Sequence, residues 1–218
     1  MSPLPDGYSD LATGKVANVQ TSLEMFGRPL LRAEMFDSPL VLVRAKPVDL
    51  GWYRALFRRI GEPYLWFSRL VMLDDELARI VGDERVEVYS VRSDGEDIGL
   101  VELDFRQPYE CELSFFGTTE KAIGTGTGRW MMNRAIERAW SMPIRRFWVH
   151  TCTLDHTAAL SFYIRSGFVP FKRQIEVFDD PRLTGVLSSS AGPDVPIIGV
   201  QGASSNTAAP SLQRSVTP

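Results

Sequence analysis

The segment "AIGTGTGRWMMNRAIERAW", residues 122–140, constrains this chain more than any other. Glycines alternate at 124, 126 and 128, and each costs chain entropy on folding. They follow a strand-like run, "YECELSFFG". They lead into a segment whose apolar Met132, Ala135, Ile136, Ala139 and Trp140 form one helix face. Pro143 marks the helix exit, and "RRFWVHT" reads as the next strand. A strand at 109–117, a helix at 126–140 and a strand at 145–151 make one right-handed crossover. The glycine loop then lies at its first turn, where open α/β sheets bind ligands. Such a turn aims N–H groups at one point, and the helix adds about half a positive charge. The pattern predicts an anion site, with phosphate the usual anion. A plain turn with glycines placed for packing is the competing reading.

Around this crossover the chain divides into zones. Residues 1–37 show no sustained periodicity and read as a loosely ordered leader. Residues 38–183 alternate strand-like and helix-like patterns. "PLVLVRA" is a strand. "DLGWYRALFRRIG" is a helix with Asp49 as cap and Gly61 as stop, and Trp66, Leu70, Leu73, Leu77 and Ile80 recur at helical spacing. Asp74, Asp75 and Glu76 can open a new helix inside that stretch. "RVEVYSVRSDGEDIGLVELDF" is a hairpin turning at Ser-Asp-Gly. After the crossover, Asp155 is the expected N-cap of "HTAALSFYIRS", which stops at Gly167, and "FVPFKRQIEVF" is the last strand. The fold class is therefore α/β, a mixed sheet with helices on both faces. Residues 184–218 are rich in Ser, Gly, Pro and Ala, with Asp194 and Arg214 their only charges. That composition predicts a mobile tail in which "VPIIGV" alone could dock.

Composition narrows the functions. With 218 residues the chain suits one sizeable α/β core. A net charge of −3 argues against a nucleic-acid partner. No apolar run reaches the ~18 residues of a membrane span. "MSPLPDGYSD" is no secretory signal, so a cytoplasmic location is expected. The two cysteines, Cys111 and Cys152, sit in no metal-ligand spacing and read as small buried apolar residues.

Three phosphate loops compete for the glycines. A Walker-type loop needs a Lys after them, and none follows. A dinucleotide fingerprint needs a third glycine where Arg129 stands, and an acid where Trp148-Val149-His150 lies. The remaining loop binds the coenzyme A pyrophosphate. Gly124-Thr125-Gly126-Thr127-Gly128 resembles motif A of the GNAT acetyltransferases, and "LDHTAALSFYIRSGFVPF" resembles their motif B through Ala159, Phe162, Tyr163, Gly167 and Phe168. "WVHTCTLDHTAAL" is similar to a bacterial GNAT subgroup. Two positions depart from the pattern: Ile123 replaces the motif A Arg or Gln, and His156 replaces the motif B Asn.

The resemblance, over residues 38–180, implies a GNAT-type, mostly antiparallel twisted sheet. It also implies acetyl-CoA as co-substrate, with a small-molecule amine or amino-acid-like acceptor; a homodimer stays open. Ile123, Gly124, Thr125, Gly126, Thr127, Gly128 and Arg129 would cradle the pyrophosphate. Backbone near Phe115, Phe116, Gly117 and Thr118 would face the thioester oxygen. His156, Ala159 and Phe162 would touch the cofactor, although His156 also suits a helix start. An ammonium acceptor needs a base. Glu110 falls where some relatives keep a catalytic Glu, and Glu112 is close enough to exchange with it; Glu102 and Asp104 lie in the neighbouring arm. A solvated sheet face is the alternative for each. Tyr163 would protonate the departing thiolate or else be a core aromatic. Aromatics in "GWYRALF" and "PYLWF" would line the acceptor slot or fill the core. The implied activity is direct N-acetyl transfer to a primary amine. A non-catalytic acyl-CoA-binding protein and a nucleotide-dependent oxidoreductase are the other readings.

Overall fold

A computed structural model describes residues 4–34 and 39–199. One sheet has seven strands in the order β2-β3-β4-β5-β6-β1-β7. They are β1 (Lys15–Met25), β2 (Val41–Arg44), β3 (Val86–Ser93), β4 (Glu96–Asp104), β5 (Glu110–Thr118), β6 (Arg146–Cys152) and β7 (Val169–Asp179). Five helices cover it: α1 (Leu50–Gly61), α2 (Ser68–Val71), α3 (Asp74–Val81), α4 (Thr127–Trp140) and α5 (Ala159–Arg165). Only β5 and β6 run parallel, joined by α4 as the crossover pattern predicts; every other neighbouring pair is antiparallel.

Two apolar layers hold the helices to the sheet. Leu103, Leu113, Phe147 and Val149 pack under Met131, Met132 and Ile136 of α4, with Tyr163 and Phe168 closing the α5 end. On the opposite face, Val86, Val88 and Leu100 pack under Tyr53, Phe57 and Ile60 of α1 and Leu77 of α3. Local signals decide several boundaries. The Asp49 carboxylate accepts the Trp52 N–H at 2.7 Å and starts α1. Asp94 and Gly95 both take positive φ, 50° and 82°, the turn a tight hairpin needs.

The leader reading is corrected. Residues 15–25 form β1, which lies inside the sheet between β6 and the edge strand β7. Leu23 pairs with Val149 and Met25 with Phe147, both deep in the core. Residues 26–34 then run along α4, where Asn133 donates to the Arg32 carbonyl at 2.8 Å and to Glu34 at 2.9 Å.

The mobile-tail reading is corrected up to residue 199; its remainder, 200–218, lies outside the described residues. Arg182 is buried and bonded to Asp180 at 2.7 Å. Its guanidinium also donates to the carbonyls of Ala191, Gly192 and Val195. Leu187 and Ala191 are buried with Val16 and Leu65. Backbone groups with no helix or strand partner are thus satisfied by one arginine, which composition does not reveal. Deleting residues 190–218 is therefore expected to lower the melting temperature by several degrees. An unchanged melting curve would show that this wrap contributes nothing.

Candidate active site

The site begins where two strands part. β5 pairs with β6 only over Glu110–Leu113 against Arg146–Val149. Beyond that, Ser114 bulges: Leu113 faces Leu103 and Phe115 faces Glu102, leaving Ser114 unmatched. From Phe115 to Thr118, β5 keeps its pairing to β4 and leaves its other edge without a strand. A cavity of about 580 Å³ fills this splay. Phe115 and Phe116 form one wall, His150 and Cys152 the other, and Tyr64, Trp66 and Phe67 the roof. The Trp66 indole N–H donates to Asp155 at 3.0 Å, which ties the roof across the cleft to the loop after β6.

At one end of the cavity lies the glycine loop. Gly124 and Gly126 hold φ of 79° and 93°, and Gly126 caps α4. Only glycine takes that conformation without strain. Among the described residues, the N–H groups of Gly124, Thr125, Gly126 and Gly128 donate to no protein atom. Thr125 Oγ1 bonds the Ala122 carbonyl and Thr127 Oγ1, both at 2.8 Å, and fixes the loop's shape. Four unpaired donors on the positive end of a 14-residue helix form an anion cradle. Of the predicted loop residues, Ile123, Gly124 and Gly128 line the cavity.

Arg129 turns aside to donate to the Ala33 carbonyl at 2.9 Å. It belongs to a basic group with Arg32 and Arg165: burial, then the charges of Arg129 and Arg165, lower the Arg32 pKa. None of the three has a carboxylate partner among the described residues. Arg32 and Arg165 were invisible to motif reasoning, since their proximity comes from the pinned 26–34 segment and from α5.

The remaining candidates separate. Tyr163 is buried on α5 against Phe116, Phe162 and Phe168, and it lines the cavity. Its hydroxyl bonds no protein group among the described residues, and burial, with Asp155 nearby, pushes its pKa well up. Ala159, Phe162 and His156 also line the cavity. His156 Nδ1 accepts the Ala158 N–H at 3.1 Å, so the residue shapes the turn into α5. Asp155 does not cap α5; its carboxylate accepts from Thr151 Oγ1 and the Cys152 N–H, each at 2.8 Å.

Phe116, Gly117 and Thr118 lie on the unpaired edge. A Cβ at Gly117 would stand 2.6 Å from Ile60 and 3.1 Å from Trp66, so this glycine lets the roof close on the strand. Glu112 lines the cavity, with Oε1 3.5 Å from His150 Nδ1. Glu110 does not; it pairs with Arg146 at 3.1 Å, which also holds Glu24. Asp104 pairs with Arg106. Glu102 is fully buried, bonded to Arg69 and to the Tyr53 hydroxyl, and burial pushes its carboxyl up. Of the aromatics, Tyr53 and Phe57 are core, while Tyr64 and Trp66 line the cavity. Burial pushes the Cys152 thiol up to about 12 and Cys111 still higher, which removes both as ready nucleophiles.

Sequence comparison matches the Acetyltransferase (GNAT) family over residues 52–168, more than half of the chain. No curated protein sequence matches. Among solved structures, the GCN5-related N-acetyltransferase from Sphaerobacter thermophilus superposes with a TM-score of 0.56 at 13% identity, covering 75% of this chain and 52% of that one. An acetyltransferase of the GNAT family from Novosphingobium aromaticivorans gives 0.52 at 17% identity, covering 77% and 68%. A conserved protein of unknown function from Staphylococcus epidermidis gives 0.51 at 14% identity, covering 77% and 63%. This chain thus spans about half to two thirds of the length of these proteins.

Proposed function

From the premise that this chain belongs to the GNAT acetyltransferase family, whose acetyl donor is acetyl-CoA, we propose that it transfers acetyl directly to a primary amine of a small molecule. One observation carries the reading: the glycine loop, whose Gly124 and Gly128 N–H groups are unpaired, and the unpaired edge of β5 line the same cavity. The loop binds the pyrophosphate and the thioester lies in the splay. Backbone N–H groups on the open edge at Ser114–Thr118 receive the charge that develops on the thioester oxygen. Arg32, Arg129 and Arg165 attract the further phosphate of the coenzyme. The amine enters from the Glu112 side, where a base takes its proton, and Tyr163 protonates the leaving thiolate. The two high-pKa thiols support direct transfer over a cysteine intermediate.

The test is calorimetric titration with acetyl-CoA, followed by thiol release across a panel of amines and amino acids. Binding with no turnover on any amine would leave a binding protein; no binding would end the reading. Gly126→Val is expected to weaken acetyl-CoA at least about tenfold, or about 1.4 kcal/mol. Valine cannot hold a φ of 93°, so the cradle must re-form. Unchanged affinity would reject the cradle assignment.

A further inference from the structure

His150 lies in the segment "WVHTCTLDHTAAL", where the resemblance gives it no role, yet its position is specific. It stands one residue beyond Val149, the last β6 residue paired with β5, at the point where the strands part. It shares a sheet face with Glu112, since Glu112 pairs with Trp148 and side chains two apart point the same way. Both residues line the cavity, and the imidazole Nδ1 lies 3.5 Å from Glu112 Oε1. Trp148, on the same strand face, packs beside the ring with centroids 6.2 Å apart. Level with His150 on β1 is Ser22, and level with Ser22 on β7 is Lys172. Glu112 is the carboxylate within ion-pair distance of the ring among the described residues, while Asp104, its neighbour on β4, lines the same cavity and is paired with Arg106.

We propose that His150 is the group that takes the proton from the acceptor ammonium, and that Glu112 acts through it as a positioning residue. The inference rests on the acetyl-transfer reading and specifies its base. A carboxylate beside Nδ1 selects the tautomer with its proton on Nδ1, leaving the Nε2 lone pair free. The ammonium gives one proton to Nε2, and Glu112 stabilises the imidazolium formed. The neutral amine attacks the thioester carbonyl carbon, forming the C–N bond. The C–S bond then breaks, the thiolate takes the Tyr163 proton, and the second proton on nitrogen restores the phenol. The imidazolium returns its proton to solvent, so the sum is ammonium plus thioester giving amide, thiol and one proton. An imidazole is by nature a stronger base than a carboxylate and suits an ammonium better.

The chain has two histidines, and they should adopt opposite tautomers. His156 Nδ1 accepts an N–H, so its own proton must sit on Nε2. Nitrogen-15 imidazole spectra of the full chain, at about pH 8.5 where an ordinary imidazole is neutral, read both directly and need no acceptor. The expected result is His150 protonated on Nδ1, shifting to Nε2 in Glu112→Ala, with His156 unchanged in both. A wild-type His150 protonated on Nε2 overturns the proposal. In the amine assay, His150→Ala should lower kcat by about 10²-fold with the acetyl-CoA KM unchanged, and added imidazole should restore part of it. Glu112→Ala should lose less. If Glu112→Ala abolishes turnover while His150→Ala keeps it, the carboxylate is the base and the proposal fails. If the wild type binds no acetyl-CoA, the acetyl-transfer reading has failed instead, and the spectra distinguish the cases.

Discussion

Replacing Arg69 by methionine is expected to destabilise the folded chain by about 3–5 kcal/mol, the cost of stranding one charge of a buried ion pair. Arg69 is 7% exposed and Glu102 is not exposed at all. The guanidinium bonds the carboxylate and stacks 5.0 Å above the Phe115 ring, so it joins the α2 segment to the cavity wall. Methionine keeps much of the volume and leaves Glu102 with the Tyr53 hydroxyl, 2.5 Å away, as its remaining partner. The urea midpoint should fall at constant slope. Adding Glu102→Gln should recover part of the loss, because it removes the stranded charge. Without the arginine, burial raises the Glu102 pKa against the Tyr53 hydroxyl bond alone. A carboxyl raised in the folded state costs nothing below its unfolded value of about 4.3 and destabilises as pH rises above it. The gap between variant and parent should therefore narrow on acidification. A gap that widens below about pH 4.3 would contradict this account.

Local sequence carried the crossover because strand, glycines and helix are consecutive, and each announces itself within a few residues. The same holds for the Ser-Asp-Gly hairpin and the Asp49 cap. β1 was missed because its alternation is muted. Ala17, Val19, Thr21, Leu23 and Met25 alternate onto one face, of which Leu23 and Met25 pack in the α4 core, but Ala17 is small and Thr21 polar. The opposite face begins with buried Val16 but continues as Asn18, Gln20, Ser22 and Glu24, polar although Asn18 and Ser22 are buried. Those polar positions have a use, since Asn18 and Gln20 line the cavity. A strand that borders a site need not look like a core strand. The wrap of residues 182–195 failed for another reason: it is held by the hydrogen bonds of Arg182, which leave no periodic trace. The glycine loop and Tyr163 were legible as motif residues. Glu110 and Glu112 were indistinguishable in sequence; the Arg146 partner of Glu110 and the cavity position of Glu112 separate them. His150 lies inside the segment "WVHTCTLDHTAAL", but its position in the site depends on where β5 and β6 stop pairing, which no local pattern shows.

Tyr163→Phe should slow the chemical step by about 10²-fold or more, the usual contribution of a positioned acid. The ring sits at the junction of Phe116, Phe162 and Phe168, and phenylalanine preserves that packing. The hydroxyl bonds no protein group among the described residues, so its removal should change stability little and acetyl-CoA affinity hardly at all. Burial and the Asp155 charge keep the phenol protonated throughout the working pH range. In the proposed mechanism its proton moves to the thiolate as the C–S bond breaks. The loss should accordingly appear in kcat with little change in KM, because the interaction exists only in the transition state. No basic limb belonging to this residue should appear in the kcat profile up to about pH 10, the ordinary phenol value. Single-turnover measurement separates this step from product release. A variant that matches the parent under those conditions would place Tyr163 among the core aromatics and leave the thiolate to take its proton from water.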